Sequence, residues 1–195
     1  LRLNVEEGDT VSGVFHLKAT ADQKKSIKLM IDGKPIRQVF PALEADPYLA
    51  FDVKGTNLYF KNGVSIGKHL LSIFDDSTKV YRTYTIPIPE KHLEKAGPQT
   101  ILFHAGTKSS PFDRFPGENH DDFELKNVQM ILSNGTQILP LNASQHEEWK
   151  MGDGGSAKKV RAFQFQIPKQ AYASSYIQWD TRRLKEGVHV VQAKT

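Results

Sequence analysis

The chain has no cysteine. That excludes disulfides, thiol nucleophiles and zinc sites built on thiolates. It does not fix the compartment, because a secreted protein large enough for a proper core folds without disulfides. No apolar run approaches the roughly 20 residues of a membrane span, and no signal peptide is visible. The seven histidines stand singly, with no His-Glu-x-x-His or His-x-His pair for zinc. Gly-x-Ser-x-Gly is missing, and MGDGGSAKK (151–159) has glycines without a strand feeding a helix, so it reads as a Gly-rich hairpin loop. Charge of one sign is not concentrated either. Net charge is +4, but Lys and Arg gather only in doublets, Lys24-Lys25, Lys158-Lys159 and Arg182-Arg183. A nucleic-acid binder shows them on one face or in one run, so none is expected as a partner. The diffuse excess tilts toward anionic polymers such as teichoic acid or acidic glycans.

What is present is β pattern. Short runs rich in Val, Ile, Phe, Tyr and Thr recur between Gly, Asn, Asp and Pro, with 38% hydrophobic and 25% charged residues over 195 positions. In VSGVFHLKAT, Val11, Gly13, Phe15 and Leu17 alternate with polar neighbours. Asp32-Gly33, Asn62-Gly63 and Asn134-Gly135 each sit between β-prone arms, where residues tolerant of positive φ close antiparallel hairpins. Helical signal is confined to PEKHLEKAG (89–97) and KQAYASSY. The expectation is an all-β chain of antiparallel sandwiches, jelly-roll or Ig-like.

A weak internal echo joins SIKLMIDGKPI, AFDVKG and GKHLLSIFDD to VQMILSNGTQI, FQFQIP and GVHVVQAKT. It predicts two sandwich units, 1–106 and 107–195, with the seam in the turn-rich stretch 107–120; a single larger sandwich is the other arrangement. The opening Leu1 and the strand-like end VHVVQAKT suggest a piece of a longer polypeptide.

Two candidate sites stand out. Asp113, Glu118, Asn119, Asp121 and Asp122 fall in one irregular loop that contains Pro116-Gly117. Calcium takes about six to eight oxygen ligands, and carboxylates, an Asn amide and backbone carbonyls supply them. A structural Ca2+ is therefore expected there, outside any EF-hand register; a solvated acidic loop is the plain alternative. Adjacent carboxylates such as Asp121-Asp122 point to opposite sides of an extended chain, so they make no glycosidase pair by themselves. The second candidate is aromatic. Trp149, in the polar stretch NASQHEEWKMGDGG, is expected to be exposed and to stack on sugar rings, with Tyr59 and His104 as further ligand contacts. Trp179 alternates with Ile177 and reads as core.

AFDVKG, LYFKNGVSIG and TYTIPIPEKHLEKAGPQTILFHAGT resemble carbohydrate-binding jelly-roll modules related to galactose-binding domains. HDDFELKNVQMILSNGTQI and WDTRRLKEGVHVVQAKT are similar to accessory sandwich segments of large secreted bacterial enzymes, notably calcineurin-like metallophosphoesterases. LRLNVEEGDTVSGVFHLKAT resembles the first strands of an Ig-like wall-protein module. The Asp-x-His and Gly-Asn-His-Glu signatures of that phosphoesterase are absent from this chain. The resemblance implies a non-catalytic accessory module, extracellular or cell-wall associated. It would bind polysaccharide or cell-wall polymer, or position adjacent domains of the same polypeptide. The rivals are a hydrolase fragment using His104 with Asp121 and Asp122, and a structural spacer or adhesin module.

Overall fold

A computed structural model describes residues 1–21, 26–93, 97–114, 117–144 and 146–195. The Lys24-Lys25 doublet, residues 94–96 of the 89–97 stretch expected to make a short turn or helix, and Pro116 lie outside these residues. The chain opens with β1 (Arg2–Leu3), β2 (Val14–Thr20), β3 (Lys28–Ile31), β4 (Lys34–Pro35) and β5 (Phe40–Ala42). It continues through β6 (Tyr48–Lys54), β7 (Gly63–Ile66), β8 (His69–Ile73), β9 (Arg82–Pro87) and β10 (Pro98–His104). Then come β11 (Phe123–Ile131), β12 (Gln137–Ile138), β13 (Trp149–Met151) and β14 (Val160–Gln166), and last β15 (Ser174–Asp180) and β16 (Val191–Lys194). Among the described residues the helical content is three 3-10 turns, at Glu90–His92, Lys169–Ala171 and Thr181–Arg183. The chain is all-β, and among the described residues the strands pair antiparallel, with one isolated parallel bridge between Met151 and Lys158.

Two compact units form, and they do not divide the chain at residue 106. One joins Leu1–Ala45 to Pro168–Thr195; the other joins Asp46–Leu93 to Gly97–Ile167. The physical reason is strand pairing over long sequence separation. β2 pairs β15, β6 pairs β11 and β10 pairs β14, so each sheet is built from both sides of the expected seam. The second unit is an insertion, in chain order, between β5 and β15 of the first.

The first unit has a sheet ordered β1-β2-β15-β5 and a smaller one ordered β16-β3-β4. Leu17 and Ala19 of β2, Ile177 and Trp179 of β15 and Leu29 of β3 form its core, as the alternating pattern requires. The second unit has a sheet ordered β14-β10-β7-β8 and another ordered β12-β11-β6-β9, with β13 also on β11. Aromatic side chains join these two sheets. Phe51 meets Phe103 edge-on at 4.8 Å, Phe103 meets Phe163 at 5.3 Å, and Phe163 meets Trp149 at 4.8 Å. Each such ring contributes roughly 1.5–3 kcal/mol by burial, and an edge-to-face pair adds about 0.5–1.5 kcal/mol.

The turn dipeptides separate into two kinds. Asp32 and Gly33, with φ of 51° and 73°, close the β3–β4 hairpin, and Asn134-Gly135 turns β11 into β12. Asn62-Gly63 closes nothing. The hairpin there is turned at Gly67-Lys68, because Ile66 pairs with His69. Asn62 is fully buried and its amide accepts from the Gly106 N–H at 3.0 Å, while a Cβ on Gly63 would stand 2.7 Å from the Ser72 carbonyl. Both residues serve close packing of backbone instead of a turn.

Candidate functional site

The acidic loop directs its side chains apart. Asp121 is buried, and its carboxylate accepts from the Asn57 N–H at 2.8 Å and from the Asn62 amide. Burial pushes its pKa up against those hydrogen bonds. Asp122 turns toward the 152–155 loop and accepts from the Gly154 N–H at 3.3 Å. Asp113 pairs with His120 at 3.3 Å and Lys159 at 3.4 Å. Glu118 accepts from the Ser109 hydroxyl at 2.7 Å, and hydrogen bonds from Thr107 and Ser109 hold its carboxyl low. Asn119 donates to the His120 carbonyl at 3.1 Å. Among the described residues no group of three or more His, Asp or Glu is disposed around one point to hold an ion. Asp121 thus ties the loop to Asn57 and Asn62, Asp122 ties it to Gly154 and Asp113 to Lys159, while Glu118 and Asn119 bond to Ser109 and His120 nearby in the chain.

Trp149 is not exposed. It retains 5% of its surface, pairs in register with Leu125, and packs on Phe163. Pairing fixes the side of the sheet: Trp149 shares the inner face with Leu125, so its ring is core. His104 is also buried, with the Phe112 ring edge-on at 5.1 Å. Its Nε2 is 2.8 Å from the Ser65 hydroxyl, and burial lowers its pKa. A Ser–His pair supplies the nucleophile and base of a catalytic triad, but Ser65 has no exposed surface and the Asp121 carboxylate bonds elsewhere. Substrate has no approach to it. Tyr59 is 71% exposed on the loop after β6, where its N–H donates to the Asn57 side chain at 3.1 Å. The structure therefore does not gather Trp149, Tyr59 and His104 into one surface.

A different cleft does gather polar groups. It has a volume of ≈ 280 Å³ and is lined by Ala50, Asp52, Thr83, Asn127 and Gln129 from the sheet, and by Leu139, Pro140, Ser144 and His146 from the segment after β12. Its origin is a β-bulge. Lys126 pairs with Asp52 and Gln129 with Ala50, so Asn127 and Val128 together oppose Phe51. The bulge leaves Asn127 at φ 53°, a left-handed conformation uncommon for a residue with a Cβ. In that geometry its amide donates to Asp52 Oδ2 at 2.7 Å, and the Thr83 hydroxyl donates to Oδ1 at 2.6 Å. Both oxygens of Asp52 are thereby oriented, and each keeps a lone pair for a ligand. His146, on the rim, also has positive φ, at 70°. Two positive-φ residues beside an oriented carboxylate in a concavity make this cleft the candidate site.

The signal for this site is a phase slip. In FELKNVQMI the buried positions are Phe123, Leu125, Val128 and Met130, so the two-residue alternation jumps by three across Lys126 and Asn127. Asn is a residue that tolerates the left-handed region the slip demands.

Over 196 residues the chain is 46% identical to YvnB of Bacillus subtilis (strain 168), a protein described as uncharacterized. The match covers 99% of this chain and 15% of that protein, so the chain spans about 15% of the length of this relative. A stretch like it therefore occurs inside a much longer polypeptide. No family model matches the chain, and no solved structure does.

Proposed function

We propose that this chain is a non-catalytic accessory module that binds a polysaccharide or cell-wall polymer through the cleft at the β11 bulge. It acts within an extracellular or wall-associated protein, holding neighbouring domains near that polymer. The observation that supports this reading is the Asp52 carboxylate, fixed from both sides by Thr83 and Asn127 in a cleft with amide, hydroxyl and imidazole groups around it. Hydroxyl-rich ligands are recognised by such preformed, planar hydrogen-bonding groups. At ≈ 280 Å³ the cleft lies just below the usual range of ligand-site volumes, roughly 300–1,000 Å³, which suits one unit of a polymer and not a long stretch of it.

The test is co-sedimentation with purified cell walls and insoluble polysaccharides. The wild type is expected to pellet saturably and Asp52→Ala to lose at least about tenfold in affinity. Asn127→Gly removes the amide while supplying the residue best suited to φ 53°. It is expected to weaken binding without lowering the melting temperature. Chelator is expected to change nothing, because the acidic loop is held by protein partners. Pelleting that survives Asp52→Ala would move the binding surface away from this cleft, and none at all would leave the module as a spacer.

A further inference from the structure

The cleft's charge points to the chemistry of its ligand, and this inference rests on the cleft-binding reading above. Among the described residues, no lysine or arginine lines the cleft. The cations that β-sheet register brings nearest to Asp52 are each held by another acid. Lys126 stands directly opposite Asp52, yet its ammonium bonds Glu148 at 3.3 Å and lies 3.5 Å from the centre of the Tyr81 ring. Lys54 bonds Glu124 at 3.0 Å, and Arg82 pairs with Asp76. Asp52 is left with two neutral donors, the Thr83 hydroxyl and the Asn127 amide, and with no cation paired to it among the described residues. The diffuse positive charge of the whole chain is thus absent where the oriented groups converge.

We infer that the cleft selects a hydroxylated sugar unit carrying a protonated amine, in preference to N-acetylated, neutral or uronic-acid units. An ammonium placed against Asp52 makes a charge-assisted hydrogen bond, about twice as strong as a neutral one. It also supplies the positive charge that this partly buried carboxylate lacks. An acidic unit meets the opposite situation, a like charge with no lysine or arginine to offset it. The surface excess of Lys and Arg, which by itself favours anionic polymers, is overruled at short range because the site charge is close and the excess is screened.

The experiment is calorimetric titration of the full chain with three soluble oligosaccharides of matched length: de-N-acetylated chitosan, N-acetylated chitin and oligogalacturonate. The chitosan oligomer is expected to bind at least about tenfold more tightly than the chitin oligomer. Its affinity alone should fall with added salt, and Asp52→Asn should abolish the difference between the two. Gln129→Leu, at a lining position that makes no charged contact, serves as a second variant and should weaken both ligands alike. Equal affinity for chitosan and chitin, with both lost in Asp52→Asn, would overturn the amine preference while keeping the cleft as the binding site. Tightest binding of oligogalacturonate would overturn it as well. No binding of any of the three, in protein that melts normally, would sink the cleft reading itself and this inference with it.

Discussion

Trp149 does not take the exposed place that its surroundings in the sequence suggest. Trp149 follows a polar loop, but register with Leu125 turns its ring into the aromatic core, beside Phe163 at 4.8 Å. Trp149→Ala is therefore expected to destabilise the protein by about 3–5 kcal/mol, the cost of emptying a large buried site. Trp149→Phe keeps a ring there and should lose much less. Urea denaturation of both variants measures this, and under the proposed function the folded Trp149→Phe protein should bind as the wild type does. A stable Trp149→Phe protein that no longer bound would put the ring back in the binding surface. Residue-level reading succeeded for Trp179, which alternates with Ile177 through a seven-residue strand. It failed for Trp149 because β13 has three residues, too few to display a period. Asp52 was invisible for another reason: what makes it a candidate is its hydrogen bonds to Thr83 and Asn127, which are 31 and 75 positions away.

At the scale of elements, Asp32-Gly33 and Asn134-Gly135 were legible as turns because the turn itself demands positive φ. Asn62-Gly63 has the same local chemistry, and long-range packing against Gly106 and Ser72 overrides it. The β3–β4 turn also carries a titratable clamp. Asp32 accepts from the His189 ring at 2.8 Å and from the Val190 N–H at 2.9 Å, and the other ring nitrogen of His189 bonds the Lys185 carbonyl at 3.1 Å. The hydrogen bond to Asp32, with that to Lys185, raises the His189 pKa; His189 and the Val190 N–H lower that of Asp32. The imidazole contribution is complete below its ordinary value of 6.5 and is lost as pH rises through the raised one. The carboxylate contribution is complete above its ordinary value of 3.8 and is lost as pH falls through the lowered one. Stability of the clamp should thus be greatest between those two ordinary values and decline on the alkaline side. Trp179, whose ring centre lies 6.0 Å from that of His189, reports on it locally. Trp179 fluorescence in a Trp149→Phe background is expected to give a melting temperature that falls across neutral pH. His189→Gln should remove that slope. An unchanged slope would show that the clamp does not control this unit.

At the scale of the whole chain, strand-rich composition and turn spacing were enough to read an antiparallel all-β protein, but the division into units was not readable. The internal echo compares stretches that the fold distributes between both units: SIKLMIDGKPI lies in the first, AFDVKG and VQMILSNGTQI in the second. Repeated hairpin chemistry produces similarity of that kind without any repeated domain. Insertion hides the boundary further, since no linker composition marks the passage at Ala45–Asp46 or Ile167–Pro168. The insertion does yield a test. The second unit owns both its sheets and its aromatic core, and its first residues bond within it, Pro47 accepting from Ile88 at 2.8 Å and Asp46 from the Glu90 N–H at 2.7 Å. A polypeptide of residues 46–167 alone is therefore expected to fold, to melt in one cooperative transition, and to keep the cleft's affinity within about a factor of two to three of the full chain, a difference below roughly 0.7 kcal/mol. Circular dichroism melting and calorimetric titration of the fragment check both expectations. Cooperative folding with lost affinity would mean that the cleft needs the first unit to hold its shape. A fragment that failed to fold cooperatively would make the two units one folding body, in spite of their separate cores.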